Sequence, residues 1–336
     1  MGKKVRMADI AQALGISVVS VSKGLSGKDG VSEEMRSRIQ AKAKELGYSM
    51  KRQIMEGQSP QSPAKGRSVG ILSADRFFDE NTFYTSLYRE LLLQCTAQGD
   101  FAIMELVTPQ CEQTCILPTV VTEQKVDALI LIGQLDRAYL ETVTQCGLPY
   151  LFLDFYDDAL DADCVLSDNL AGGYRLARHL LEGGYRKIGF VGSIHATSSN
   201  MDRYLGMVKA LLEAGIPPNP EWLLEDRDGR GVFIPLRLPE TLPEAFLCSC
   251  DEVAFHLVQH LTEKGLRVPE DIAVAGYDDY RYSTICHPPL TSYRVNVPEM
   301  ARAAVELIRR KLEGRSIPFP RNTVPGRIVI RESTRR

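Results

Sequence analysis

A stretch close to the N-terminus limits the fold of this chain more than any other. Ile10 and Leu14 have the spacing that gives a short helix one apolar face. Gly15 follows, at the position where a helix end needs a left-handed residue and glycine adopts that conformation at the least cost. Ser17 is placed to cap a second helix, whose apolar residues face the first. The pattern predicts a helix-turn-helix, whose second helix commonly contacts base edges in the major groove of DNA.

A third helix is predicted directly after this pair. Ser32 precedes Glu33 and Glu34, so a capping side chain and two carboxylates meet the positive end of the helix. Its apolar stripe, which ends before Gly47, consists of Met35, Ile39, Ala43 and Leu46. Three helices in about fifty residues are enough for a minimal hydrophobic core.

Charge is divided unequally between this segment and the rest of the chain. The net charge is −3, yet residues 1–52 hold eleven Lys and Arg against five Asp and Glu, whereas the remainder holds 29 against 38. A basic first domain on an acidic body fits phosphate contact by the first domain alone. The alternative interpretation is a solvated basic helix.

The remainder of the chain has the pattern of an α/β protein. Residues 57–66 are polar and rich in Pro and Gly, which predicts a linker. The predicted strands after it are 69–72, 101–105, 128–132, 150–153, 188–191, 246–248, 272–275 and 328–330. The predicted helices are 85–98, 169–181, 204–213, 253–264 and 299–312. Apolar strands that alternate with helices are typical of parallel sheets covered on both faces, and nearly 270 residues predict two such lobes.

Motifs along nearly the whole chain resemble one family. Near the N-terminus they are Asp-Ile-Ala at 9–11, Gly-Ile-Ser at 15–17 and Leu-Gly-Tyr at 46–48. Further on they are His-Leu-Leu-Glu-Gly-Gly-Tyr-Arg-Lys-Ile at 179–188, Val-Pro-Glu-Asp-Ile-Ala-Val-Ala-Gly-Tyr-Asp-Asp at 268–279 and Pro-Pro-Leu-Thr-Ser at 288–292. With these motifs the chain resembles the lac repressor/galactose repressor family.

The resemblance implies an all-α helix-turn-helix domain joined to a two-lobed α/β domain like that of periplasmic binding proteins. We expect the DNA-binding domain at 1–48, a hinge or linker at 49–67, and an effector-binding and dimerisation domain at 68–336. The expected lobes are 68–167 with 293–323, and 168–292 with 324–336. Ligands of such sheets bind beyond the carboxyl ends of the strands, which here means the cleft between the lobes.

The resemblance also implies which residues contact DNA. The implied phosphate contacts are Ser17, Ser20 and Ser22, the implied base-reading positions are Val18, Val19 and Lys23, and Tyr48 is a further DNA contact. A lysine can donate to guanine O6 and N7, whereas a valine can only touch thymine methyl groups or exclude wrong bases. Because a two-fold dimer presents two identical reading helices, the operator is expected to be a near-palindrome.

The expected effector is a carbohydrate or a derivative of one. A sugar offers hydroxyl groups that both donate and accept, so its recognition needs carboxylates and a forked arginine donor at strand ends. The resemblance implies that Arg203 binds the effector, at a place near the cleft and outside either core. The other candidates are Phe78, Asp154, Asp251 and Asp278, with Phe77 and Phe83 beside Phe78 as possible packing surfaces for a sugar ring. The alternative roles are helix capping for Asp154 and Asp251, and core packing for the phenylalanines.

The chain departs from the family pattern in three places. Met50 and Lys51 stand where a Pro-Asn pair is common, so a hinge helix that kinks DNA is either absent or uses other residues. Cys250 precedes Asp251 where the family often has Asn-Asp. Residues 226–240 lack a clear amphipathic helix, which predicts a changed wall of the cleft.

Other classes of protein fit the sequence less well. No apolar run approaches the length of a membrane span, and no secretory signal is recognised, which favours the cytoplasm. The eight cysteines lack zinc-site spacing and are expected to be small buried hydrophobes; no cofactor or metal is expected. No phosphate loop or catalytic triad is recognised, which disfavours an enzyme in the cleft, although His195 could reach a ligand there.

We therefore expect a cytoplasmic transcriptional regulator, a repressor whose affinity for double-stranded operator DNA depends on a small-molecule effector. Induction and co-repression both fit the sequence, and control by a partner protein or by a non-sugar ligand is the alternative. A homodimer is expected rather than a tetramer, because no heptad tail follows the last predicted strand.

Overall fold

The computed structural model describes residues 7–18, 20, 21, 23, 31–45, 66–78, 83–228, 231–315 and 321–335. It divides the chain into two compact units, Met1–Lys65 and Gly66–Arg336. The predicted hinge, the linker at 57–65, Tyr48, and the side chains of Val19 and Ser22 lie outside the described residues. In the described part of the chain, the helices are too short or too polar to cross a membrane.

The first unit contains the predicted turn between two helices. Helix α1 (Met7–Leu14) ends at Gly15, whose φ of 63° is left-handed as predicted. The reading helix, the second helix of the motif, begins after Ser17, whose Oγ accepts a hydrogen bond from the backbone N–H of Ser20 at 3.0 Å. The serine therefore caps this helix, as the sequence predicts. The third helix is α2 (Glu33–Glu45). The buried core consists of Ile10, Ala11, Val21, Ile39 and Ala43.

The second unit contains twelve strands within the described residues. They are β1 (Ser68–Ala74), β2 (Phe101–Val107), β3 (Ala128–Ile132), β4 (Tyr150–Leu153), β5 (Cys164–Ser167), β6 (Ile188–Val191), β7 (Leu223–Leu224), β8 (Ala245–Cys248), β9 (Ala273–Asp278), β10 (Thr291–Arg294), β11 (Arg321–Val324) and β12 (Arg327–Val329). The helices are α3 (Phe83–Ala97), α4 (Pro109–Thr114), α5 (Thr119–Thr122), α6 (Arg137–Thr144), α7 (Asn169–Glu182), α8 (Ser198–Glu213), α9 (Asp251–Glu263), α10 (Arg281–Ile285) and α11 (Val297–Leu312).

These strands form two six-stranded sheets, one in each lobe. The first has the order β11-β5-β4-β3-β1-β2, and all its pairs are parallel. The second has the order β12-β10-β9-β8-β6-β7, and its pairs are parallel except for the antiparallel pair of β10 and β12. The prediction of parallel sheets is therefore wrong at that edge, where β12 follows β11 after a two-residue connection and enters the sheet in the opposite direction.

The chain passes between the lobes three times, after β5, after β10 and after β11. The first passage follows Ser167, and the other two follow Arg294 and Val324. The described residues between β7 and β8 include no helix, in agreement with the predicted departure from the family pattern.

Helices α7 and α8 cross in direct backbone contact beneath the cleft. A Cβ atom at Gly173 would lie 2.1 Å from the carbonyl oxygen of Arg203, and one at Gly206 would lie 2.2 Å from that of Leu170. Neither position has room for a methyl group, so the two glycines allow an approach that other residues would prevent. This crossing brings Asn169, at the start of α7, beside Arg203 on α8.

Candidate functional site

A cavity of about 350 Å³ lies between the two lobes, and we name it the inner compartment. Its lining contains three carboxyl groups, three guanidinium groups and several aromatic rings. The charged side chains are Asp154, Glu252, Asp278, Arg76, Arg203 and Arg227, and the rings are Phe77, Phe83, Tyr84, Phe233 and Tyr280. Three of the predicted effector contacts, Asp154, Arg203 and Asp278, therefore come together in one cavity.

Arg203 is held in one orientation by contacts from several elements. Its Nε donates to Asn169 Oδ1 at 2.9 Å, and its Nη1 donates to the carbonyl oxygen of Ser249 at 2.5 Å. The guanidinium lies 3.8 Å from the centre of the Tyr277 ring, which is a cation–π contact. Its Nη2 faces Asp278 Oδ1 at 3.6 Å. Only 5% of the residue is exposed, so the sequence-based expectation of a place outside either core is wrong.

Asp154 and Asp278 each keep one carboxylate oxygen available. Asp154 Oδ2 accepts a hydrogen bond from the Tyr84 hydroxyl at 3.0 Å. The Oδ1 atoms of Asp154 and Asp278 are buried and make no hydrogen bond with any residue that the structure describes. Within the described residues, Asp154 Oδ1 has no hydrogen-bond partner, and Asp278 Oδ1 has only its ion pair with Arg203 at 3.6 Å, so both oxygens can accept hydrogen bonds from a ligand.

Burial also changes the ionisation of these two carboxyl groups. Desolvation raises the pKa of Asp154 to about 7, with Arg203 opposing the shift and Asp278 adding to it. Desolvation likewise raises the pKa of Asp278 to about 6, against the attraction of Arg203 and Arg227. Desolvation of the two carboxyl groups thus outweighs the attraction of the neighbouring positive charges. A ligand that donates hydrogen bonds replaces the missing water and favours the ionised form of both groups.

Three hydrogen bonds join the two lobes beside this cavity. The Ser199 hydroxyl donates to the backbone carbonyl of Asp154 at 2.8 Å, and the backbone N–H of Tyr156 donates to Ser198 Oγ at 3.0 Å. The Tyr156 hydroxyl donates to Asp202 Oδ1, also at 3.0 Å. Asp154 and Tyr156 follow β4 in the first lobe, whereas their partners lie on α8 in the second. We name these three hydrogen bonds the interlobe clasp.

Asp251 does not line the cavity, so its predicted role as an effector contact is not supported by its position. It is fully buried, and its carboxylate accepts hydrogen bonds from the backbone N–H of Tyr280 at 3.0 Å and from the Ser292 hydroxyl at 2.6 Å. It is the first residue of α9, and the capping position belongs to Cys250. Its carboxylate therefore joins α9 to the end of the sheet, and its neighbour Cys250 lines the cavity instead.

The position of Phe78 likewise does not support its predicted role as an effector contact. Residues Asp75–Phe77 form a single 3₁₀ turn, in which neighbouring side chains point about 120° apart. Phe77 consequently faces the cavity, while Phe78 packs edge-on against Tyr88 with ring centres 5.8 Å apart. The aromatic surface that was predicted after β1 is thus supplied by Phe77 and Phe83.

Sequence reasoning missed several lining residues. Tyr84 lies one position after Phe83 in the first turn of α3, where helix starts face the same edge of the sheet as strand ends. Arg76 and Arg227 supply two guanidinium groups besides Arg203. Arg227 carried a weak signal, because it follows β7 within the segment that departs from the family pattern.

The reading helix presents its predicted DNA contacts on the outside of the first unit. Ser17, Val18 and Lys23 are exposed, and Ser20 is half-buried with its hydroxyl 2.9 Å from that of Ser17. Val21, on the opposite side, is buried in the core. The helix is thus oriented with its polar residues away from the domain, an arrangement that leaves them accessible to a groove.

Comparison with known proteins matches both units. Residues 6–50 match the family described as "Bacterial regulatory proteins, lacI family", and residues 177–334 match a periplasmic binding protein-like domain. The HTH-type transcriptional repressor PurR of Haemophilus influenzae is 27% identical over 97% of this chain and 98% of its own length.

Two solved structures have the same fold. The complex of the transcriptional regulator CelR with cellobiose has a TM-score of 0.68 at 21% identity, covering 98% of this chain and 100% of that one. The lac repressor dimer bound to operator and the anti-inducer ONPF has a TM-score of 0.68 at 22% identity, covering 99% of this chain and 100% of that one. The chain thus has a helix-turn-helix followed by two α/β lobes whose strands are mostly parallel, and a family model matches each of these two regions. This protein belongs to the lac repressor/galactose repressor family of bacterial regulatory proteins.

Proposed function

We propose that this protein is a sequence-specific transcriptional repressor of the cytoplasm whose affinity for a near-palindromic operator is controlled by a carbohydrate or carbohydrate derivative. The observation that carries the proposal is the pair of buried oxygens that accept no hydrogen bond from a described residue, Asp154 Oδ1 and Asp278 Oδ1, beside the guanidinium of Arg203, which is ion-paired with Asp278. This cluster fits a ligand with several hydrogen-bond donors in a small volume, and a sugar ring is such a ligand.

The aromatic walls support a sugar for a second reason. Phe77 and Tyr84 lie with ring centres 5.4 Å apart on one side of the inner compartment, and Phe233 and Tyr280 line it as well. A sugar ring has an apolar face of C–H groups that packs on such surfaces, while its hydroxyl groups reach the charged residues around them. The similar structure of CelR holds cellobiose, which agrees with this choice.

An effector acts on DNA binding only if it binds the DNA-competent and DNA-incompetent shapes with different affinities. The inner compartment has walls from both lobes, so a ligand there stabilises one spacing of the lobes over others. An effector that lowers operator affinity is an inducer, and one that raises it is a co-repressor. A titration of operator DNA with and without the effector distinguishes the two.

The edge of the first sheet supports assembly as a homodimer. Strand β2 is an edge strand, and it exposes three large apolar side chains: Phe101, which is 66% exposed, Ile103 and Leu106. An exposed apolar edge is a liability for a monomer and is normally covered. A second copy related by two-fold symmetry covers it and places two reading helices on the two halves of a palindrome.

A thermal-shift screen followed by DNA titration tests the proposed function. The screen contains neutral sugars, sugar phosphates and nucleobases, and the hit is added to a fluorescence-anisotropy titration of the DNA upstream of the gene. We expect a sugar to raise Tm and to change the operator Kd. A nucleobase that does both, with no response to any sugar, would contradict the proposed effector class.

Lys23→Ala is expected to weaken operator binding by about 1–3 kcal/mol, because the lysine stands where it would donate to a guanine. Binding to random DNA, which depends on phosphate contacts, is expected to change much less. Lys42→Ala on α2 is the matched control, since it removes the same charge from the same domain at a residue that pairs with Glu45 at 2.8 Å. Equal losses on operator and random DNA would show that Lys23 contacts only phosphate.

A further inference from the structure

We propose that the effector is a neutral disaccharide or other glycoside, with one ring in the inner compartment and its second unit in a separate, adjoining site. This second site is a cavity of about 770 Å³ at the mouth of the cleft, and we name it the outer compartment. The inference rests on the proposed function, because it assumes that a sugar occupies the inner compartment.

The two compartments are continuous. Arg76 and Phe77 from the first lobe, and Thr197, Arg227, Gly231 and Val232 from the second, line both of them. The inner compartment, at about 350 Å³, is at the small end of the range of ligand sites, which extends from about 300 to 1,000 Å³. A molecule that fills only the inner compartment therefore leaves the larger part of the cleft to water, whereas a linear glycoside passes between the six shared residues into the outer part.

The outer compartment differs from the inner one in chemistry. Its lining includes the side chains of Gln113, Gln134 and His195, which make no hydrogen bond within the described part of the chain. Amide groups both donate and accept, and the imidazole ring adds two nitrogen atoms that take part in hydrogen bonds, which matches the hydroxyl groups of a second sugar unit. The predicted ligand contact His195 thus lies in the cleft, but in its outer part.

The wall from the first lobe is fixed before any ligand binds. Arg76 forms an ion pair with Glu112, and its Nη2 donates to the carbonyl oxygen of Gln134 at 3.0 Å. Glu112 is buried, and its Oε1 also accepts a hydrogen bond from the backbone N–H of Asp136 at 2.8 Å. The segment that carries Gln134 is therefore held at Gln134 by Arg76 and at Asp136 by Glu112. Pre-ordering of this kind lowers the entropic cost of binding.

The wall from the second lobe is equally ordered. The backbone N–H of Ser193 donates to Asp226 Oδ1 at 2.6 Å, and the Ser193 hydroxyl donates to the carbonyl oxygen of Arg227 at 2.9 Å. These bonds join the loop that carries His195 to the segment after β7.

The charges of the outer compartment select against an acidic second unit. Among the described residues, its lining includes four carboxylates, Glu112, Asp136, Glu225 and Asp228, and two guanidinium groups, Arg76 and Arg227. Arg76 is paired with Glu112, and Arg227 Nε lies 3.4 Å from Asp226 Oδ2. A uronate or phosphate would meet net negative charge from these residues, so the second unit is neutral.

Isothermal titration of the full chain with matched sugars tests the inference. The probes are cellobiose, maltose and lactose, each compared with its component monosaccharides, and cellobiuronic acid as the acidic counterpart of cellobiose. We expect at least one disaccharide to bind ten-fold or more tightly than its monosaccharides. The doubly substituted variant Q113A/H195A is expected to remove most of that advantage, while Q110A, an exposed glutamine on the same helix that lines neither compartment, keeps it.

The possible results separate this inference from the proposed function. Monosaccharides that bind as tightly as every disaccharide would overturn the two-unit effector and leave a sugar effector standing. A disaccharide preference that survives in the doubly substituted variant would overturn the assignment of the second site. Tighter binding of the acidic sugar would overturn its neutral character. No heat of binding from any sugar would contradict the proposed function itself.

Discussion

Arg203→Ala is expected to abolish the response to the effector and to lower the free energy of unfolding by about 3–5 kcal/mol. The guanidinium is almost fully buried and binds Asn169 and the carbonyl oxygen of Ser249, and it faces the carboxylate of Asp278. Its removal leaves Asp278 without its ion-pair partner and takes away the positive charge that favours the ionised form of Asp154. Removing one partner of a buried pair is costly for that reason.

Urea unfolding and ligand titration measure the two effects separately. Arg302→Ala is the matched control, because Arg302 has ion pairs with Glu299 and Glu306 but its side chain is 54% exposed on α11. Exposed pairs contribute about 1 kcal/mol or less, so this variant is expected to unfold almost like the wild type. Equal losses in the two variants would show that burial of Arg203 has no special cost. Asp278→Asn, which is nearly isosteric, tests the ligand site if the alanine variant does not fold.

Gly173→Ala is expected to lower the free energy of unfolding by about 3 kcal/mol, although alanine is the better helix former. Helix propensity favours alanine over glycine by about 1 kcal/mol. The new Cβ atom, however, would lie 2.1 Å from the carbonyl oxygen of Arg203, and a backbone atom cannot turn aside as a flexible side chain does. The helices α7 and α8 must therefore separate, and the Asn169–Arg203 hydrogen bond moves with them.

The same two measurements test this prediction. The free energy of unfolding is expected to fall, and ligand affinity is expected to fall with it, since the guanidinium is displaced from the cleft. Arg178→Ala, on an exposed position of the same helix, controls for the change in helix composition and is expected to stay within about 0.5 kcal/mol of the wild type. A Gly173→Ala protein that is more stable than the wild type would mean that the helices repack at no cost.

The parts of the fold that were predicted from sequence are those with strong local patterns. The strands at 128–132, 150–153 and 188–191 are continuous apolar runs, and the structure gives them the predicted bounds. Strand β10 was missed because its residues, Thr-Ser-Tyr-Arg, show neither an apolar run nor a simple alternation. Its polar residues Thr291 and Ser292 are buried, and the Ser292 hydroxyl donates to Asp251, which is distant in sequence. A local sequence pattern does not reveal a hydrogen-bond partner of this kind.

The candidate site divides in the same way. Asp154 directly follows β4 of the first sheet and Asp278 ends β9 of the second, so the carboxyl ends of parallel strands in both lobes place them at the same cavity. Asp251 also follows a strand, but a backbone N–H and a hydroxyl from neighbouring segments hold its carboxylate beneath the cavity. The choice between Phe77 and Phe78 depended on a single 3₁₀ turn, whose phase a sequence pattern does not define.

The interlobe clasp has a consequence for anyone who would adapt this protein as a sensor of a different sugar. Asp154 contributes its side chain to the ligand pocket and its backbone carbonyl to the clasp, and it does so with a left-handed φ of 70°. A substitution chosen to change sugar preference at this position also changes the conformational cost of that backbone, since most side chains are strained there. A change of sugar preference at Asp154 therefore also changes the contact between the lobes on which the size of the response depends. A sensor with a new specificity is better sought by substitution of residues in the outer compartment, which form no hydrogen bond of the interlobe clasp.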